Sequence, residues 1–221
     1  MIQERYRMIS TMTYKLTRGT VENGIEDGVQ RVVNRRSRTP EHFPEFHMEA
    51  FRAQPHLRPM ELSETLGDSD VSYFEVRVRG GASVGIEVDG ESSVLFESYA
   101  HIGWLSTSYG YHSDDGRFYW SDNNNAWGGE QNAEYGEPWE TFHNRGDDCV
   151  IGCGFHHDTY EMFFTKNGKF QGMVDHSLVR ARYRAAFALH KHGDRGEINF
   201  GSKPFLFDIE EYCYKMEDDD L

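Results

Sequence analysis

Apolar and polar residues alternate along most of the chain with a period of two, the spacing of a strand that buries one face. Phe74, Val76 and Val78 alternate with Glu75, Arg77 and Arg79, and Val84, Ile86 and Val88 resume the pattern after Gly80-Gly81. That glycine pair can take the positive φ angles of a tight hairpin turn. Ile151, Cys153 and Phe155 mark a further strand, with Gly152 and Gly154 between them. Tyr160, Met162 and Phe164 lead into Thr165-Lys166-Asn167-Gly168-Lys169-Phe170, where Asn-Gly between apolar flanks signals a two-residue hairpin. Ala185, Phe187 and Leu189 predict one more strand, Ile198 and Phe200 another, and Met12 to Leu16 a short first one. Helical spacing appears only near the end. Asp208 caps Ile209, Tyr212, Cys213 and Met216, with Glu211 three residues on in a box-like arrangement. Glu217-Asp218-Asp219-Asp220 then reads as a frayed acidic tail. Many short strands, glycine-rich turns and one helix predict an all-β chain, a two-sheet antiparallel β-sandwich with a short C-terminal helix. No internal repeat is visible.

Composition adds limits. The 221 residues suit one domain burying roughly 70% of its unfolded surface, enough to fold without disulfide or metal. The pattern divides them into an N-terminal extension with a possible strand (1–44), one domain (45–215) and the acidic tail (216–221). The three cysteines, an odd number, give no disulfide framework and point to a reducing compartment. Cys149 and Cys153 lie four apart on a strand, roughly 13 Å along it, too far for a disulfide. No apolar run of about 18 residues occurs, and the first residues lack the apolar core of a secretory signal. The expectation is a soluble intracellular chain. Its formal net charge of −14 repels phosphate backbones, so no nucleic-acid partner is expected. One basic cluster stands out, Arg31, Arg35, Arg36 and Arg38 before Pro40. It suits RNA or an acidic partner, but also a solvated linker, the simpler reading.

Four segments, in this order, resemble SPRY domains, specifically those of the Ran-binding protein M-like group. SYFEVRV (72–78) is similar to the family's early strand and GWLSTSYGYHSDDG (103–116) to its central segment. DDCVIGCGFHHDTYEMFFTKNGKFQG (147–172) resembles the strand-hairpin pair, and NFGSKPFLFDIEEY (199–212) the closing strand and helix. RAQPHL (52–57) matches more loosely. The resemblance covers about residues 45–215 and implies a SPRY-like, jelly-roll-type sandwich. It also implies a non-enzymatic binding module, serving as an adaptor or scaffold in ubiquitin ligase complexes, in the cytoplasm or nucleus. Two departures matter. The stretch between Phe118 and Asp147 is longer than the family pattern, adds Trp120, Trp127 and Trp139, and reads as a long loop. The chain also has no room for the LisH and CTLH regions of the larger scaffolds, which favours a free-standing adaptor.

Several residues could carry chemistry of their own. His156-His157-Asp158 looks like a metal or acid–base cluster, yet neighbouring strand residues face opposite ways. His190 and His192 could share a face within reach of Zn²⁺, but no third ligand stands nearby. No nucleophile elbow, P-loop or dinucleotide fingerprint occurs. The expectation is no catalysis, no cofactor and no metal. Trp120, Trp127 and Trp139 with Asp122, Glu130 and Glu137 supply raw materials for glycan binding or cleavage. They equally suit a loop anchored against the sandwich.

The resemblance places a ligand-binding rim on loops at one edge. Its positions here are Arg52, Gln54 and His56 before the early strand; Phe118 and Tyr119 after Asp-Asp-Gly-Arg, Tyr119 matching an aromatic contact residue; and the loop His190-Lys191-His192-Gly193. Trp120 and the inserted Trp127 follow directly and extend or cover the rim. Aromatic and arginine side chains combine large area with a polar handle, as binding hot spots do. An extended peptide or a protein is the implied ligand. Alternatives from other classes are a structural subunit locked into a larger assembly and a lectin-like role. Trp104, Tyr109 and Tyr111 are expected in the core. The oligomeric state stays open.

Overall fold

The computed structural model describes residues 15–17, 21–26, 29–33, 49–54, 57–60, 69–89, 101–104, 107–122, 132–139 and 148–219. These residues form fourteen strands: β1 (Lys15–Thr17), β2 (Val21–Glu26), β3 (Val29–Val33), β4 (Glu49–Gln54), β5 (Val71–Arg79), β6 (Ala82–Val88), β7 (Ser108–His112), β8 (Arg117–Ser121), β9 (Asn132–Glu134), β10 (Cys149–His156), β11 (Met162–Lys166), β12 (Lys169–Met173), β13 (Tyr183–Leu189) and β14 (Arg195–Asn199). One helix among the described residues, α1 (Ile209–Asp219), follows. The first sheet runs β1-β4-β13-β6-β7-β8-β9 and the second β12-β11-β10-β5-β14-β3-β2. Pairing in both is antiparallel throughout. The sandwich expected from the alternation is present.

The inward faces make one core. Phe51, Val84, Ile86, Tyr109, Tyr111, Phe118 and Phe187 from the first sheet meet Phe74, Val76, Ile151, Cys153, Phe155 and Phe164 from the second. A second cluster forms outside the second sheet, where Ile209 and Cys213 of α1 bury against Val71, Tyr73, Phe163 and Phe205. The Asp208 carboxylate caps this helix by accepting from Glu211 N at 3.0 Å, as the box predicts. The helix continues to Asp219, through residues expected as frayed tail.

Three sequence expectations change. Gly80-Gly81 joins no hairpin: β5 pairs with β10 and β14 of the second sheet, whereas β6 pairs with β13 and β7 of the first. Alternation identifies a strand but not which sheet its successor joins. Gly80, at φ 106°, turns the chain from one sheet to the other. A Cβ there would lie 2.1 Å from Asp194 Oδ1, so the corner has room only for glycine. Residues 15–33, expected as an extension with one strand, supply three strands, β1 to the first sheet and β2–β3 to the second. Arg31 therefore stands on a strand, not in a linker, and Arg35, Arg36 and Arg38 lie outside the described residues. Part of the long loop is also built in. β9 pairs with β8, the Tyr135 hydroxyl donates to Gly172 O, and Trp139 packs on Tyr111.

The hairpin expected at Asn167-Gly168 joins β11 to β12, with both residues at positive φ, 51° and 76°.

Candidate functional site: the outer face of the first sheet and its loop rim

Side chains on one face of a strand recur every second residue, so Tyr109 and Tyr111 inward put Ser108, Gly110 and His112 outward. Register extends that outward set across the sheet as a row Arg52–Ala186–Gly85–Gly110–Tyr119. Arg52 and Tyr119 stand four strand spacings apart, about 19 Å. The middle of the row is small, and the segment His101–Trp104 lies over it. Ile102 buries against Ala50, Ala186 and Ala188 with Trp104 beside it. Ile102 N donates to Ser83 Oγ at 3.0 Å and Gly103 N to Ser108 Oγ at 2.8 Å. A Cβ on Gly110 would sit 2.6 Å from Ile102 O, so the glycine in SYGYH lets the strap lie flat. Trp104, expected in the sandwich core, is half-buried in this strap, while Tyr109 and Tyr111 are fully buried as expected.

Tyr119 is half-buried at one end of the strap. Its hydroxyl donates to Asp115 Oδ2 at 2.6 Å, and its ring lies on His112 with centroids 4.1 Å apart. His112 stacks on His101 at 4.7 Å, and His101 meets His190 edge-on at 4.2 Å. Trp104 closes over His101 at 4.3 Å. A continuous run of rings thus joins Tyr119 to the loop beginning at His190. Burial pushes the His112 pKa down to about 3, with the neighbouring His190 adding to the effect against a hydrogen bond to Ile102 O. Burial, then His190 and His112, also hold His101 well below the ordinary histidine range. His101 and His112 are therefore neutral at physiological pH. Burial and the bond to Asp115 raise the Tyr119 pKa, so its hydroxyl stays a donor. This end therefore offers aromatic surface whose two buried imidazoles are neutral, with the Asp115 carboxylate at its margin.

The His190–Gly193 loop is shaped by Asp194, whose Oδ2 accepts from Lys191 N at 2.8 Å and Gly81 N at 3.1 Å. Gly193 takes φ 88°, and His192 and Gly193 are exposed while His190 is buried. Arg52 lies at the far end of the row, and its Nη1 donates to the buried Glu87 carboxylate at 3.1 Å, which ties its head down. Two expected contact residues face elsewhere. Phe118 is 1% exposed in the sandwich core. Trp120 shares that inward side, stacked on Phe118 and, at 4.5 Å, on His176. Strand alternation around Tyr119 sends both neighbours to the opposite face. The Gln54 side chain, His56 and Trp127 lie outside what is described. Sequence reasoning missed His101 and His112, although the alternation that put Tyr111 inward also signalled His112 outward.

The other candidate chemistry resolves into packing. His156 Nε2 meets the Tyr212 hydroxyl at 3.0 Å, whereas His157 Nε2 lies 2.7 Å from Ser72 Oγ. The Ser72 hydroxyl donates to Arg58 O, so the imidazole donates to it and does not deprotonate it. Asp122 accepts from the Tyr109 hydroxyl at 2.6 Å. Among the described residues no three His, Cys, Asp or Glu side chains are grouped to hold a metal ion. No described helix is long and apolar enough to cross a membrane.

The architecture is that of a two-sheet antiparallel sandwich presenting loops and a covered outer face at one edge. The chain belongs to the SPRY domain family, whose model matches residues 71–203. It is 31% identical over 140 residues to the Ran-binding protein M homolog of Arabidopsis thaliana, covering 63% of this chain and 27% of that protein. It is 32% identical over 142 residues to human Ran-binding protein 9, covering 64% of this chain and 18% of that one. The resemblance to the Ran-binding protein M-like group is thereby borne out. A 104-residue stretch, 45% of the chain, is 36% identical to the dual specificity protein kinase splA of Dictyostelium discoideum, covering 4% of it. The chain thus spans about a quarter or less of these relatives. Among solved structures, a human SPRY domain superposes with TM-score 0.52 at 20% identity, covering 86% of this chain and 99% of that one. The SPRY domain of human HERC1 gives 0.52 at 12%, covering 83% and 93%.

Proposed function

We propose that the chain is a non-enzymatic binding module that takes an extended peptide or protein partner at the rim formed by Tyr119, Trp104 and the His190–Gly193 loop. The observation that carries this reading is the run of rings from Tyr119 through His112 and His101 to His190. It gives two segments far apart in sequence one shared aromatic floor. Recognition on loops held by a rigid scaffold can vary without disturbing the core. The names of the Ran-binding relatives speak of a protein partner, which supports a protein ligand over a glycan. The three cysteines are free, in keeping with an adaptor acting in cytoplasm or nucleus within ubiquitin-ligase-type or scaffolding complexes.

Affinity purification with mass spectrometry supplies the partner, and calorimetry then tests the rim. Tyr119→Ala is expected to weaken binding by about 1–2 kcal/mol, a hot-spot loss. Tyr119→Phe, which keeps the ring over His112, retains most of the affinity. Removing residues 123–131 spares Asp122 and β9; weaker binding then means the inserted stretch contributes contacts, and tighter binding means it shields the rim. If neither Tyr119→Ala nor the deletion changes affinity, the rim is the wrong surface.

A second reading, a subunit locked into one assembly, is favoured by exposed apolar side chains outside the second sheet, Phe170 on β12 and Leu206 before α1. A pull-down would then return one constitutive complex in place of several clients.

A further inference from the structure

The outer face of the second sheet is divided between α1 and a cationic hollow. Arg31 on β3, Arg77 and Arg79 on β5 and Arg195 on β14 line a depression of about 190 Å³ with Asp148 and Glu197. Lys203 lines an adjoining one with Arg77. Register sets Glu197 between Arg31 and Arg77 and places Arg195 directly opposite Arg79. Arg31 Nε donates to Glu197 Oε2 at 2.9 Å and Arg79 Nε to Asp148 Oδ1 at 2.8 Å. Arg77 and Arg195 are exposed, and neither guanidinium pairs with a carboxylate among the described residues. Four guanidiniums thus face two carboxylates on a chain of formal net charge −14.

Arg195 stands directly opposite Arg79, and like charges so placed oppose pairing; Arg77 stands opposite Glu197 and favours the Glu75 carboxylate electrostatically, but neither Arg77 nor Arg195 makes a direct ion pair among the described residues. Their charge is available to a ligand. The two residues are diagonal neighbours on adjacent strands, about 7–8 Å apart. Alternate side chains of an extended peptide fall about 6.8 Å apart on the same side, a matching span. A continuous phosphate backbone fits less well, because Glu197 and Asp148 interrupt the patch and the chain as a whole repels polyanions.

We propose that this face binds an extended acidic peptide segment of a partner, with carboxylates at alternate positions reaching Arg77 and Arg195. Guanidinium forks suit carboxylates because they can donate two parallel hydrogen bonds. The surface lies on the sheet opposite the Tyr119 strap, so it is a site separate from the rim.

Fluorescence anisotropy tests it with a labelled eight-residue peptide alternating Glu and Ser, a Gln-Ser peptide of equal length, and the full chain. The Glu-Ser peptide is expected to bind, and the Gln-Ser peptide to bind more weakly. Arg77→Gln with Arg195→Gln should weaken the acidic peptide by about tenfold or more at an unchanged melting temperature. Should that pair fail to fold, Arg77→Lys with Arg195→Lys, which keeps the charge and loses the fork, is read instead and should still weaken binding. Four results overturn the proposal: no binding of the Glu-Ser peptide, affinity unchanged in the folded variant, tighter binding of a uridine oligonucleotide lost in the same variant, or a dimer in sedimentation that the variant abolishes.

Discussion

At the scale of the residue, Glu75 shows what packing can require of a group that alternation marks only as polar. It stands between Phe74 and Val76 and therefore faces out from the core, yet it is buried, because the segment before α1 folds over it. Its carboxylate accepts from Leu206 N at 2.9 Å, from Phe207 N at 3.1 Å and from the Tyr73 hydroxyl at 3.1 Å. Burial raises its pKa, against the lowering effect of the two backbone donors, Tyr73 and the Arg77 charge. A carboxyl whose pKa is higher folded than unfolded holds its proton more tightly in the folded state. Its ionisation therefore costs stability as pH climbs from the ordinary carboxyl range through the raised value, and that cost is absent below both. Melting temperatures of the wild type and Glu75→Gln across that range are expected to converge at the acidic end, relative to their separation at neutral pH. A constant separation would show that the charge is not what matters. Glu75→Ala leaves two backbone donors without an acceptor and should cost about 1–3 kcal/mol in denaturant unfolding. No pattern in the sequence announced this anchor, since its two backbone donors lie some 130 residues away. Tyr119 was legible through its motif, whereas its support by His112 and His101 depended on a strap whose path alternation does not encode.

At the scale of the element, legibility followed the range of the interactions that fix each piece. The β11–β12 hairpin and the helix cap were readable because both are decided within a few residues: by positive φ at Asn167 and Gly168 and by the Asp208 carboxylate. The Gly80-Gly81 connection predicts a hairpin only because a glycine pair permits many turns; the distant partners β10 and β13 decide which sheet follows. Phe118 and Trp120 face the core for a smaller reason: both flank Tyr119 on β8, and strand alternation turns them to the opposite side. The cap carries a direct test. Asp208→Ala should cost about 1 kcal/mol, measured by urea denaturation. Glu211 offers no substitute cap, because its carboxylate reaches forward to Lys215 at 2.7 Å. A loss near zero would mean that docking of Ile209 and Cys213 alone fixes the helix start.

At the scale of the molecule, the part of the chain that matches the family and the part that builds the sandwich differ. The match covers residues 71–203, whereas β1–β4 pair into both sheets and α1 covers Tyr73 and Phe163. A fragment limited to 71–203 would open the β13 and β14 edges and remove Phe51, Ala53 and Val32 from the core. Such a fragment is expected to lack the cooperative near-ultraviolet melting transition of the full chain. A sharp transition would show β1–β4 to be ornament. The pairing of β3 with β14 also has a consequence in time. Arg31 and Glu197 are 166 positions apart, and a ribosome adds about 5–20 residues per second. The strand holding Val32 and Val33 therefore waits on the order of ten to thirty seconds for its partner to be made. Throughout that interval an apolar strand with open hydrogen-bonding edges stands in a crowded cell, and the yield of native protein depends on what shelters it until the last strand arrives.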